Sequence, residues 1–409
     1  MIPASRDLVT YLAARVAPAL AAMATTALCV QWLSAEHYAL YSLSALPAAL
    51  ASGFVGGVAA QALMRHAPQL SNRAAKLGRV AVPLLGALLA CPAVLAYLAW
   101  QAHGEAASLP MAPIWAWALA AVPVGALVDA RRGWFVAQGQ AGATLKLDTV
   151  RSVMGLMLCA VLLAATASHP AVPMAAQVLA TMLALLLVNG PERSAADGGT
   201  RNIDAGYLGH GLGVSTWLAI VTGLALAERT VAVSAFGMAE GGRYAARADV
   251  INAIYAAVGG ALGAATMPAY LRSAEEGGRA AQNRLLIFSL RILFLAAGLC
   301  IALGVTLAMA PGFVGRSRFV TLFSSDVTTS LVLLGAALVW TAAGFIQKPL
   351  ELGGHTPRVV LSIVFAFATF LSMAPLLTSI VGVVGVSMAK LLAGMAFVGA
   401  ILVAQRDLQ

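Results

Sequence analysis

"EGGRYAARADVINAIYAAVGG", residues 240–260, has an earlier echo in "EHYALYSLSALPAALASGFVGG", residues 36–57. Each stretch opens with Glu at the head of an apolar run and soon carries a tyrosine, Tyr244 or Tyr41. Each reaches a glycine pair fifteen residues after that tyrosine, Gly259-Gly260 or Gly56-Gly57. A fainter echo joins "VAQGQAGAT", residues 136–144, to "ELGGHTPRV", residues 351–359. Two matches in the same order imply that the chain is built from two similar halves.

The composition says what kind of halves they are. Of 409 residues, 61% are hydrophobic and 10% charged, and the mean hydropathy is +0.87. A soluble domain carries about 25% charged residues, so this chain falls in the membrane class. Its first apolar run, about 8–32, is longer than the roughly 7–15 residues of a signal-peptide core, and is expected to be an uncleaved span. Cys29, Cys91, Cys159 and Cys300 each stand alone in an apolar run, without metal or redox spacing. There is no HExxH, GxSxG or GxxxxGK[ST] stretch, so no enzyme, cofactor or metal reading arises. The net charge of +9 is a matter of membrane topology and not a nucleic-acid footprint.

A helix needs about 20 apolar residues to cross the bilayer core. Read in that way, the chain is expected to hold twelve spans, near 8–32, 38–63, 78–100, 112–133, 147–167, 170–189, 209–228, 246–269, 285–309, 327–347, 358–379 and 382–404. With the N-terminus inside, eighteen of the 25 lysines and arginines fall in inside segments and five in outside ones. That asymmetry supports cytoplasmic termini at both ends. Arg15 and Lys390 fall within spans. Three of the five outside positives, Arg229, Arg243 and Arg247, crowd into "ERTVAVSAFGMAEGGRYAARADV", residues 228–250. Six spans is an even number, so the two halves have the same orientation. The expected architecture is an all-α polytopic membrane protein with about twelve helices in two six-helix lobes, related by a parallel pseudo-two-fold repeat. The lobes are 1–189 and 207–409, joined by a cytoplasmic linker, 190–206. Parallel repeats of this kind suit a transporter with its substrate path between the halves.

"LSAEHYALYSLSALPAAL" after span 1 resembles a signature of the polysaccharide, O-antigen type, lipid-linked oligosaccharide flippases, with Ala39 where that family has Gly. "ERTVAVSAFGMAEGGRYAARADV" resembles a second signature, with Glu228-Arg229 for Asp-Arg and with Gly242 and Tyr244 in place. "IVGVVGVSMAK", residues 380–390, resembles the family's turn between spans 11 and 12. These flippases lie in the multidrug/oligosaccharidyl-lipid/polysaccharide exporter superfamily. The resemblance implies movement of an undecaprenyl-pyrophosphate-linked glycan to the outer leaflet of a bacterial inner membrane by alternating access. The implied partners are membrane lipids, the anionic lipid-linked glycan, and polysaccharide polymerase or other assembly proteins.

The residues themselves suggest where such an anion would bind. Charge inside a span faces a cavity or a partner, and the planar arginine fork matches phosphate. Arg15, Arg243, Arg247 and Lys390 are therefore candidates for a cationic cavity. Arg15 also reads as a side chain reaching back to the cytoplasmic surface, and Lys390 as one reaching outward. Arg243 and Arg247 share a helical face with Glu240, which gives either a positive outer vestibule or a salt-bridged helix start. Glu228, Arg229 and Asp249 read as an ion-pair set or a coupling-cation site. Asp129, beside Arg131 and Arg132, reads as an internal ion pair. The runner-up functions are a drug/cation antiporter of the same superfamily and a non-transporting membrane scaffold for glycan assembly.

Overall fold

The computed structural model describes residues 5–66, 70, 72–102, 111–166, 168–188, 203, 205–275, 279–308 and 318–407. The expected linker, 190–206, lies almost wholly outside them. Helices follow one another as α1 (Ser5–Trp32), α2 (Ala35–His66), α3 (Asn72–Ala102), α4 (Met111–Ala137), α5 (Ala141–Ala165), α6 (Val172–Leu187) and α7 (Ala205–Glu275). They continue as α8 (Arg279–Ala308), α9 (Arg318–Ser324), α10 (Val327–Ile346), α11 (Lys348–Leu352), α12 (Thr356–Val381) and α13 (Val384–Arg406). The described residues contain no β-strand element.

Helix α7 is two helices in one run. Gly237 breaks it with φ 78° and ψ 173°, a conformation essentially reserved for glycine. Sixteen residues of straight helix would separate positions 228 and 244 by about 24 Å. Instead the Tyr244 hydroxyl donates to Glu228 Oε1 at 2.6 Å, and Gly241 packs on Val233. The chain therefore reverses at Gly237. Nine described helices are long and apolar enough to cross a membrane, and one of them, Gly211–Gly263, contains this reversal. With the shorter apolar helices Val16–Trp32 and Val172–Leu187, the expected twelve crossings are accounted for. The protein is an all-α polytopic membrane protein.

The reversal corrects one expectation. Residues 228–250 were expected to occupy the outer ends of two spans that stop at 228 and resume at 246. The structure keeps them helical up to Gly237 and again beyond it. Helix continues because the charged side chains find partners inside the fold, described below. The short helices α9 and α11 were not expected at all.

Contacts divide the chain into two compact units, Leu40–Leu226 and Met1–Ala39 with Ala227–Gln409. The units do not run with the sequence halves: α1 goes with the second half, and the first part of α7 goes with the first. In the unit Leu40–Leu226, small residues let α2 and α4 approach closely. Gly125 faces Ser52, Gly56 faces Ala126 and Asp129, and Gly133 faces Ala60. The contact positions advance by four on both helices in the same direction, so α2 and α4 run parallel through a small-xxx-small seam. The seam continues onto α7, where Gly57 meets Ser215 and Gly211 meets Val58. A buried cluster including Leu63, Leu70, Val128, Trp134, Phe135 and Leu147 fills one end of this unit.

In the other unit, α12 packs on α13, and α10 on α13 and α8. Gly394 of α13 meets Val339 and Trp340 of α10, and Trp340 stacks on Phe397 at 5.6 Å. Gly259 meets Thr341 of α10. Gly56 and Gly259 are the matched glycines of the two echoes, and each packs on the fourth span of its own half. The sequence repeat is thus a repeat of packing.

Candidate functional site

The charged stretch 228–250 builds a buried network within the unit formed by Met1–Ala39 and Ala227–Gln409. Glu228 sits nine residues before Gly237 and is fully buried. Its Oε1 accepts from Tyr244 at 2.6 Å and from Lys390 Nζ at 3.2 Å. Its Oε2 lies 2.9 Å from Lys390 Nζ and 3.0 Å from Arg229 Nη1. Arg229 Nη2 reaches Asp249 Oδ1 at 2.6 Å, and Asp249 Oδ2 accepts from the Tyr38 hydroxyl at 2.7 Å. Lys390 also donates to Asn252 Oδ1 at 3.4 Å. Two carboxylates and two cations cancel. That cancellation is what makes the burial tolerable, because an unpaired charge in hydrocarbon surroundings costs at least about 2.5–3.5 kcal/mol.

A second set of contacts is centred on Arg247. Arg247 is 1% exposed. It donates through Nε to the Leu322 carbonyl at 2.8 Å and through Nη2 to Ser325 Oγ at 3.1 Å, and its Nη1 lies 3.4 Å from Asp326 Oδ2. Asp326 also caps α10 by accepting from the Thr329 backbone N–H at 3.0 Å, a common role for Asp at a helix start. Arg243 points outward, with its side chain 55% exposed, and pairs with Glu240 at 3.0 Å. Arg318 donates to the Gln31 carbonyl at 3.4 Å.

These residues surround an open pocket of about 580 Å³. Its walls come from the end of α1, the start of α2, α7 just beyond the reversal, α9 and the start of α10. Three arginines, Arg243, Arg247 and Arg318, face two acids, Glu240 and Asp326, so the rim is positive by one charge. Gly242 lines the same pocket. A Cβ at that position would overlap the Ala35 carbonyl oxygen, so glycine is what lets α7 touch the start of α2.

The unit Leu40–Leu226 carries its own ion set, in which Asp148 is buried and Arg132 and Asp129 are partly buried. Arg132 bonds Asp148 through Nε and Nη2, and lies 2.9 Å from Asp129. Arg131 donates to the Leu185 carbonyl at 2.6 Å, and the Arg79 guanidinium lies 4.4 Å above the Trp134 ring. The pairing of Asp129 is internal.

Of the sequence candidates, the structure brings Lys390, Glu228, Arg229 and Asp249 into one network. Arg243 and Arg247 lie beside the pocket, Arg247 with its guanidinium engaged by Leu322, Ser325 and Asp326. Arg15 lies in α1, but its side chain is outside the described residues. Sequence reasoning missed Tyr38, Asn252, Ser325, Asp326 and Arg318 as neighbours of these charges. Tyr38 had a signal, since it stands in the same motif as the chosen Tyr41. Among the described residues, no group of three or more His, Cys, Asp or Glu could hold a metal ion.

No family model matches the chain, and a search of curated proteins finds no match. Solved structures do match. A multidrug resistance MATE family transporter of the MOP superfamily in an inward-facing conformation is similar over 97% of this chain and 98% of its own, with TM-score 0.69 and 14% identity. A MOP superfamily transporter from Pyrococcus furiosus, described as having a binding pocket of reverse polarity that suggests a different function, is similar over 98% and 95%, with TM-score 0.67 and 12% identity. An outward-facing MATE family transporter is similar over 96% and 95%, with TM-score 0.63 and 15% identity. At these identities the likeness is one of fold: this chain has the twelve-helix fold of MATE transporters.

Proposed function

We propose that the protein is an alternating-access transporter that moves an undecaprenyl-pyrophosphate-linked glycan to the outer leaflet of a bacterial inner membrane. The observation that carries this reading is the arginine-rimmed pocket. Arg243 is exposed there with donors to spare, Arg318 is exposed beside it, and the rim keeps a net positive charge. Arginine donors at a solvent-open rim suit a phosphate group that arrives and leaves. Charge asymmetry along the sequence supports an outer-side position for this rim, where a delivered head group would emerge. The fold adds support, since its neighbours include both inward-facing and outward-facing transporters. Arg15 is the proposed phosphate contact at the cytoplasmic end, and Lys390 and Arg247 hold the frame around the path. Polysaccharide polymerase and other assembly proteins are the proposed partners.

Drug/cation antiport is the second reading. It is favoured by the buried carboxylate of Glu228, with the partly exposed Asp249 beside it, and by the multidrug transporters among the fold neighbours. A strain lacking the protein separates the two. Accumulated carrier-linked glycan with lost surface polymer, restored by the wild type, supports the flippase. Unchanged carrier-linked glycan together with new sensitivity to cationic drugs supports the antiporter.

A further inference from the structure

Lys390 is surrounded as a bound metal cation would be. Its Nζ lies 2.9 Å and 3.2 Å from the two carboxylate oxygens of Glu228, and 3.4 Å from the amide oxygen of Asn252. An ammonium has three donors and no acceptor, and here it meets three oxygens. The Tyr244 hydroxyl buttresses the same Glu228 oxygen at 2.6 Å. Oxygen donors with a carboxylate among them are what a hard cation takes, and Glu228 and Asn252 supply three of them here, with the Arg229 guanidinium on the far side of Glu228 Oε2 at 3.0 Å. The cage is assembled from two parts of the chain, α7 on both sides of Gly237 and α13, with Glu228 fully buried and Lys390 6% exposed.

The charge balance shows what the ammonium does. Glu228 and Asp249 are matched by Arg229 and Lys390. Without Lys390 the network would hold one negative charge in excess, against a carboxylate that water does not reach. Removing one partner of a buried pair leaves an uncompensated charge, which must be met by a proton or by a free cation. We propose that Glu228 and Asn252, braced by Tyr244, form a monovalent-cation site that the chain fills with its own Lys390 ammonium. The wild-type protein therefore binds no free cation here, and removal of the ammonium opens a site for sodium. The inference concerns the network alone and holds whatever the protein carries.

The test compares full-length wild type with Lys390→Met and Lys390→Gln, purified in detergent. Thermal unfolding is measured in sodium chloride and in choline chloride at equal concentration and pH, with equilibrium binding of radioactive sodium alongside. The wild type is expected to unfold at the same temperature in both salts and to retain no sodium above background. Both variants are expected to unfold earlier in choline, to be stabilised saturably by sodium as mass action requires, and to retain about one sodium per chain. Adding Glu228→Gln to Lys390→Met should abolish both responses. The proposal is overturned if the wild type responds to sodium as the variants do. It is equally overturned if the variants ignore sodium and are rescued only by acidification, which would mean that a proton takes the place of the lysine. Failure of both single variants to fold in sodium, while the double variant folds, overturns it as well.

Discussion

Glu228 meets two cations and one hydroxyl within 3.2 Å, so changing it disturbs more than one bond. Glu228→Gln would leave Lys390 and Arg229 with one positive charge in excess. Breaking a buried pair from one side costs about 3–5 kcal/mol. We expect a loss of that order in detergent unfolding, with part of it recovered in Glu228→Gln/Lys390→Met. A double-mutant cycle reads the difference, and additive effects would show that the pair is not coupled. Arg243 is the opposite case. It is half exposed and, among the described residues, pairs with Glu240, and exposed pairs contribute about 0–1 kcal/mol. Arg243→Ala should leave stability nearly unchanged while lowering transport, and unchanged transport would remove it from the path. Gly242→Ala should cost about 1–3 kcal/mol through overlap with Ala35. Gly399→Ala, where nothing lies within 4 Å, serves as its neutral control.

The elements depend on a few special residues. At Gly237 a side chain would have to adopt φ 78°, so Gly237→Ala should strain the reversal by about 1–3 kcal/mol. The consequence should reach beyond the turn, because the reversal sets which residues of α7 meet. A lower unfolding temperature with loss of the stabilising effect of Lys390 would be its signature. The long spans were legible because apolar run length is a local property of the sequence. The helical continuation across 228–236 was not legible, since the partner that neutralises Glu228 is Lys390 in α13, far along the chain. Charge read without its partner looks like a loop. Tyr38 and Tyr41 are three positions apart on one helix face, so spacing did not tell them apart, and the bond to Asp249 falls to Tyr38. Helices α9 and α11, with 7 and 5 residues, are too short to show a period.

The molecule as a whole rests on the repeat and on its orientation. The repeat was readable from glycine spacing, and it reappears in packing as Gly56 against α4 and Gly259 against α10. The compact units were not readable, because α1 and the first part of α7 join the opposite half through contacts that leave no pattern in the sequence. The proposed orientation rests on charge asymmetry and has a direct check. In a variant with its native cysteines replaced, Ser194→Cys should react with a membrane-impermeant thiol reagent only from the cytoplasm, and Ser108→Cys only from outside. The reverse pattern would invert the account and put the arginine-rimmed pocket on the cytoplasmic side. The substrate is decided by reconstitution. Purified protein in vesicles, given a fluorescent carrier-pyrophosphate-linked glycan in one leaflet, should move it to the other faster than protein-free vesicles do. That movement should slow in Arg243→Ala. Equal rates with and without protein, alongside efflux of a cationic dye driven by an ion gradient, would contradict the account.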